Sequence, residues 1–500
     1  MVYFTIAIYF GVLLWVGVVA SRRVHTLSDY YLGGKQLGYW VAAFSARATG
    51  ESAWLYLGLT GLGAAVGLSA LWVVVGEVIG VSIAWFFMAA PFKAATDRAN
   101  AITVPDYLVS RFGSDAAPQM TRRLRLVAAG SLALFVTIYV SAQIDATGQA
   151  FVNFLDWNYF VGALVGFGIV AAYTFSGGFL AVAWSDLFQG LLMLVGLVVL
   201  PLAAVMALAP GALSVSLDPT LFNIWGAGGL SLPNVLTTVS YAAIGLGYLG
   251  SPQVFVRLMA IKDQRNIRAG RWVAVAFTLA TDTGAVLSGL FGRALLVGAD
   301  GDFAATLGPA GEQVLPALVE HLFPPLVVGI FVAAVLAAIM STIDSLLVVA
   351  SSAVTRDVYQ QTLHPERAGD TLTGLSRRVT LTLAVVALAI AMAVATLVPG
   401  RTIFWFVIFG WSGIAATFCP MIVLSLCWRR YNAHGAMASM LAGLVAIPVF
   451  KFLVPLVPGW GAMVARAEEL APSFLVALVA GVIATLATTN RSADAAYTSR

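Results

Sequence analysis

The chain is 500 residues long, 60% hydrophobic and 10% charged. A soluble globular chain carries about 25% charged residues, so that class is excluded. The 27 Lys and Arg stand against 23 Asp and Glu and are scattered over many short segments, which excludes a continuous basic face for nucleic acid.

A hydrocarbon core about 30 Å thick requires roughly 20 apolar residues per helical crossing. Thirteen stretches meet or approach that, near 3–20, 38–66, 70–91, 125–153, 158–176, 186–208, 233–256, 273–298, 326–353, 379–398, 402–427, 432–454 and 471–488. The pattern predicts an all-α polytopic membrane protein with a single transmembrane domain over 1–500 and with membrane lipid around it. The first span ends in Ser21-Arg22-Arg23 and lacks a basic start, so it reads as a retained helix rather than a cleaved leader.

The second span is long and interrupted by Ser45, Arg47, Thr49, Gly50, Glu51 and Ser52. The connection 92–125 contains Thr103-Val104-Pro105-Asp106-Tyr107; proline suits a first helical turn, so a short interfacial helix is expected. On the fourth span, Tyr139 and Gln143 are one turn apart and face either the path or the packing, while Asp145 points elsewhere. Asp186 opens the sixth span, where it either caps the helix or reaches a cation. The seventh span is disturbed at Gly245-Leu246-Gly247-Tyr248-Leu249-Gly250-Ser251-Pro252. Glycine weakens a helix and proline removes a donor, and backbone groups freed in lipid must find protein, water or a ligand. Two broken spans five apart are the pattern of inverted repeats with a site between them. Spans 2–6 (about 38–208) and 7–11 (about 233–427) are the expected repeats.

The ninth span places Ala338, Ser341, Thr342 and Ser345 on one face. Its hydroxyls, with Asp344, offer oxygen to a hard cation. Arg47, Glu51, Glu77 and Asp145 are further charges within spans. Arg47 either neutralises Glu51 or Asp145 as a structural pair or faces an anionic substrate group. Cys419 and Cys427 are eight apart on one span, too far for a disulfide on a helix. His25, His321, His364 and His434 fall in loops or at their edges and form no metal-ligand spacing. No nucleophile–base pair or metal cluster stands out, so an enzyme is not expected, and no obligate protein partner is evident.

Charge placement predicts orientation. Of the 27 Lys and Arg, 22 lie in alternate connections (21–37, 92–125, 257–272, 354–378, 428–431) and the tail, whereas 209–232 and 299–325 have none. The positive-inside rule then puts the N-terminus outside and the C-terminus in the cytoplasm.

The sequence resembles the sodium:solute symporter family, most closely its bacterial sodium/proline branch. The carriers are Asp29-Tyr30-Tyr31-Leu32-Gly33-Gly34, Thr103-Val104-Pro105-Asp106-Tyr107 with Arg111-Phe112, and Gly177-Gly178-Phe179-Leu180-Ala181-Val182 through Asp186 to Gln189. Gly245 to Tyr248 with Gly250, Pro252 and Arg257, and Ala337 to Thr342, complete the set. The resemblance implies a leucine-transporter-type 5+5 inverted repeat, a bacterial inner membrane and Na+-driven import. It implies a sodium site from the carbonyls of Ala48, Glu51 and Ala338 and the hydroxyls of Ser341 and Thr342. A second sodium in some members matches Asp186, Ser341, Asp344 and Ser345. The implied substrate pocket draws on Ser52, Ala53, Trp54, Tyr139, Tyr248 and Pro252, with Ile244 where proline symporters have tryptophan. They also have aspartate at Gly50 and glycine at Arg47. The expected activity is sodium-coupled import of a small amino acid such as proline by alternating access. Sodium- or proton-coupled uptake of a small carboxylate, and a transporter-like sensor, stay open as alternatives.

Overall fold

Apolar helices account for nearly all of the chain in the computed structural model, which describes residues 1–23, 26–113, 117–298, 301–367 and 372–497. His25 and parts of the connections 92–125, 299–325 and 354–378 lie outside the described residues. The principal helices are α1 Val2–Ser21, α2 Tyr39–Ala53, α3 Leu71–Ile83, α4 Val104–Phe112, α5 Pro118–Leu155, α6 Tyr159–Ala207 and α7 Leu232–Ala243. They continue as α8 Pro252–Ala260, α9 Gln264–Leu296, α10 Pro325–Ser352, α11 Thr373–Leu397, α12 Ile403–Cys427, α13 Ala433–Pro448 and α14 Leu470–Tyr497. Among the described residues the only β pairing is an isolated bridge between Leu37 and Ile261.

Among the described residues, ten helices are long and apolar enough to cross a membrane, against thirteen expected spans. The difference lies in bends and breaks. Residues 39–98 form one helical run that turns at Gly67, with φ +64°, so two expected spans fall within it. The fifth expected span is a shorter apolar segment, Tyr159–Ala172, running on into the sixth through a kink at Gly178. The seventh is split into α7 and α8.

Burial sorts the helices. α10 and α12 are enclosed along most of their length, whereas α1 and α11 turn most of their surface outward. Leu14, Trp15, Leu381 and Val385 are among the apolar side chains left exposed there, as a lipid-facing surface requires. α10 packs on α1, α2, α5 and α6, and α13 and α14 pack on each other and on α12. Small residues allow the closest approaches. A side chain on Gly76 of α3 would overlap the backbone of Ala242, and one on Gly245 would overlap that of Gly76. That contact brings Glu77 alongside the broken part of the seventh span.

The expected interfacial helix is α4, with proline in its first turn and the Thr103 hydroxyl accepting from Asp106 N. Its end of the molecule is tied by Arg125, which donates to both Asp106 and Asp357 at 2.7 Å. Arg125 is therefore a structural pair as well as one of the basic residues that mark this side. Cys419 is buried, as a packing residue should be, but Cys427 is exposed; both are free thiols.

Candidate functional site

The two expected breaks are present, and they meet. α2 loses helical geometry at Ser52, with φ 48° and ψ −164°, two residues beyond Gly50. The chain continues in wider turns over Trp54–Leu59. α7 tightens over Ile244–Leu249, Gly250 takes φ 154°, and α8 restarts with Pro252 in its first turn. A non-glycine residue at positive φ is strained and persists only where its surroundings demand it.

α10 closes against the first break. Ser341 Oγ donates to the carbonyls of Ala48 and Ala338, each at 3.0 Å. Thr342 Oγ1 donates to the Thr49 carbonyl at 3.1 Å and to the Ala338 carbonyl at 3.2 Å. Four of the five expected sodium-site residues thus converge, all fully buried. The fifth, Glu51, uses its carbonyl to accept the Trp54 N–H, and Thr49 supplies the adjacent oxygen instead. Two hydroxyls and three carbonyls from two helices suit a hard monovalent cation.

The second oxygen set is also assembled, but around a guanidinium. Arg257 of α8 donates to Asp186 Oδ2 at 3.2 Å, to Ser45 Oγ at 3.0 Å and to the Ser345 hydroxyl. Ser45 Oγ donates to Asp186 Oδ2 at 2.6 Å, and Ser345 Oγ donates to Asp344 Oδ1 at 3.2 Å. Asp186 is no helix cap: it lies inside α6, past the kink at Gly178.

Of the expected pocket residues, Ser52, Ala53, Trp54 and Tyr139 lie together at the Ser52 break, and Ile244, Tyr248 and Pro252 lie on the second broken span. Ser52 Oγ accepts from Tyr139 Oη at 3.4 Å and from Gln143 Nε2 at 3.3 Å, while Ala53 N donates to Gln143 Oε1 at 3.1 Å. Trp54 Nε1 donates to the Gly50 carbonyl at 3.1 Å. The Tyr248 ring lies 5.0 Å from that of Trp411, whose Nε1 donates to the Ile244 carbonyl at 2.9 Å. Pro252 is buried at the start of α8. An indole thus stands beside Tyr248 and Ile244, delivered from α12 rather than from position 244.

Arg47 pairs with Glu51, as one reading expected, but its other partner is Glu77, at 3.1 Å, not Asp145. Asp145 instead pairs with Arg401 and accepts from Tyr159 Oη. Asp282 of α9 joins the Arg47 group, with oxygens of Glu51, Glu77 and Asp282 within 4.8 Å of one another. Sequence reading named Thr49 only as an interruption of the second span, missed Asp282 and Trp411, and treated Arg257 only as a motif and loop residue. Asp282 had a signal, since a carboxylate inside a span is functional by default; Trp411 had none.

The model of the sodium:solute symporter family matches residues 30–443. The high-affinity proline transporter PutP of Bacillus subtilis is 35% identical over 461 residues, covering 90% of this chain and 93% of that protein. The osmoregulated proline transporter OpuE of the same organism is 34% identical, covering 99% and 96%. The sodium/proline symporter of Escherichia coli is 32% identical, covering 96% and 92%. Among solved structures, a Na+-coupled sialic acid symporter in a substrate-bound outward-open state superposes with a TM-score of 0.73 at 18% identity, covering 97% of both chains. The nucleobase-cation-symport transporter Mhp1 gives 0.52 at 15% identity, covering 90% and 93%. These likenesses show a leucine-transporter-type fold.

Proposed function

The chain belongs to the sodium:solute symporter family, and from that premise we propose that its cargo is a small amino or imino acid, with proline foremost. It is a multi-pass membrane transporter, not an enzyme; Na+ is its coupling ion and its cargo is a small molecule. The preference for proline rests on the names of the relatives, whose lengths this chain matches almost throughout.

One observation carries the mechanism: the hydroxyls of Ser341 and Thr342 reach the Ala48 and Thr49 carbonyls just ahead of the Ser52 break. Sodium held there by Ala48, Ala338, Ser341 and Thr342, with Glu51 adjacent, ties α2 to α10. That orders the broken segment, and the cargo then binds at Ser52, Ala53, Trp54, Tyr139, Ile244, Tyr248 and Pro252. Rocking of the bundle, with 38–208 and 233–427 read as two inverted repeats, exposes the site to one side at a time. At the second oxygen set, with Asp186, Asp344 and Ser345, Arg257 already supplies positive charge, so one sodium is assigned per cycle. The charge pattern supports an N-terminus outside and a C-terminus in the cytoplasm, in a bacterial inner membrane.

The test is uptake of labelled proline into proteoliposomes. Combining Ser341→Ala with Thr342→Ala abolishes sodium stimulation on this reading. Unchanged sodium dependence in that variant removes the ion site.

A further inference from the structure

Around Arg47 the buried charges do not balance, and the groups lacking partners carry both signs. Glu51 on α2, Glu77 on α3 and Asp282 on α9 are fully buried, with carboxylate oxygens within 4.8 Å of one another. Arg47 touches Glu51 and donates from Nη2 to Glu77 Oε2 at 3.1 Å. Among the described residues, its Nε and Nη1 have no hydrogen-bond partner. Neither do Glu51 Oε2 and Asp282 Oδ2. Tyr248 comes from the other broken span, is 1% exposed, and holds its ring 4.3 Å from the Arg47 guanidinium carbon. The cluster therefore adjoins the candidate pocket at Tyr248.

Charged groups left unpaired in a membrane interior are costly unless a ligand completes them. A metal ion would satisfy the oxygens and leave the Arg47 N–H groups bare. A plain carboxylate would satisfy Arg47 and leave the open oxygens of Glu51 and Asp282 without a donor. A ligand with one ammonium and one carboxylate does both.

Building on the amino-acid reading above, we propose that the Arg47–Glu51–Glu77–Asp282 cluster is the recognition site for a zwitterion. The cargo carboxylate docks on the free N–H groups of Arg47, and its ammonium docks on Glu51, Glu77 and Asp282. Tyr248 covers the cluster and must move aside to admit the cargo. The substrate class is then an amino or imino acid, and a simple monocarboxylate is rejected.

Three five-membered rings of nearly equal size test this: proline, cyclopentanecarboxylate (no ammonium) and prolinamide (no carboxylate). Each competes with labelled proline in proteoliposome uptake driven by external sodium. In the unmodified protein both incomplete ligands are expected to be about 100-fold weaker than proline or worse, because a site built around polar partners rejects the analogue lacking one. Glu77→Gln and Asp282→Asn narrow the gap between proline and cyclopentanecarboxylate. Arg47→Gln narrows the gap between proline and prolinamide. The proposal is overturned if cyclopentanecarboxylate competes as well as proline, or if the variants weaken all three ligands in the same proportion. Ligand-free melting curves identify variants that do not fold, and the ratios in the unmodified protein decide without them. If that protein takes up no amino acid with sodium, the cargo reading fails first and this site falls with it. Normal proline uptake with unselective competition sinks this site alone.

Discussion

Gly50 shows how one residue can redirect a site. The family resemblance implies aspartate here, yet a Cβ at Gly50 would lie 2.5 Å from Tyr248 Oη and 2.7 Å from Tyr248 Cε1. Tyr248 is held there by Arg47 on one side and Trp411 on the other. With glycine at 50, the Tyr248 ring stacked under the Arg47 guanidinium fills the space an aspartate would need. Gly50→Asp alone should lower stability by about 1–3 kcal/mol through overpacking. Adding Arg47→Gly should recover part of that loss, because Tyr248 is then released. Thermal melts in detergent read both effects, and a single variant as stable as the parent would contradict the argument. The sequence showed that 47 and 50 depart from the family pattern. It did not show that the two departures meet through Tyr248, since that contact joins residues about 200 positions apart.

At the scale of the element, the breaks were legible and their exact positions were not. Glycines and polar residues mark both interrupted spans, but which peptide gives way depends on packing. Ser52 breaks α2 because its hydroxyl is fixed by Tyr139 and Gln143, so the distortion falls past the glycine that looked weakest. α6 is the converse case. Two spans were read with a gap between them, and the chain runs through with only a kink, at Gly178 (φ +54°). Glycine tolerates that conformation and an L side chain does not; a Cβ there would also lie 2.6 Å from the Tyr30 ring. Gly178→Ala is expected to cost about 1–3 kcal/mol, read as a drop in melting temperature. No drop would mean the kink relaxes freely.

For the whole molecule, the question is whether one sodium can drive the cycle. One charge crossing 100 mV releases about 2.3 kcal/mol, and a tenfold sodium gradient adds about 1.4 kcal/mol. The sum, about 3.7 kcal/mol, supports a cargo gradient of roughly 500-fold. Proteoliposomes under that potential and gradient should plateau near or below this ratio and lose it when both are dissipated. A plateau many times higher would require a second sodium and would mean that Arg257 gives way at the second oxygen set. The same scale explains the Arg125 link to Asp106 and Asp357: buried charges at one end of the molecule hold α4, α5 and the continuation of α10 together.

Hydropathy, charge placement and a few motifs determined that this chain crosses a membrane many times, that two crossings break, and that α10 carries a row of hydroxyls on one face. Those properties are local: burial in lipid, backbone weakness and helical periodicity can be read within a few turns of chain. Tertiary structure alone decided which charges neutralise which. Arg47 went to Glu77 rather than Asp145, Arg257 went to Asp186 and Ser345, and Trp411 came to lie against Ile244 and Tyr248. A buried charge takes the partner that packing brings within reach, and in a bundle of long helices that partner lies tens to hundreds of residues away.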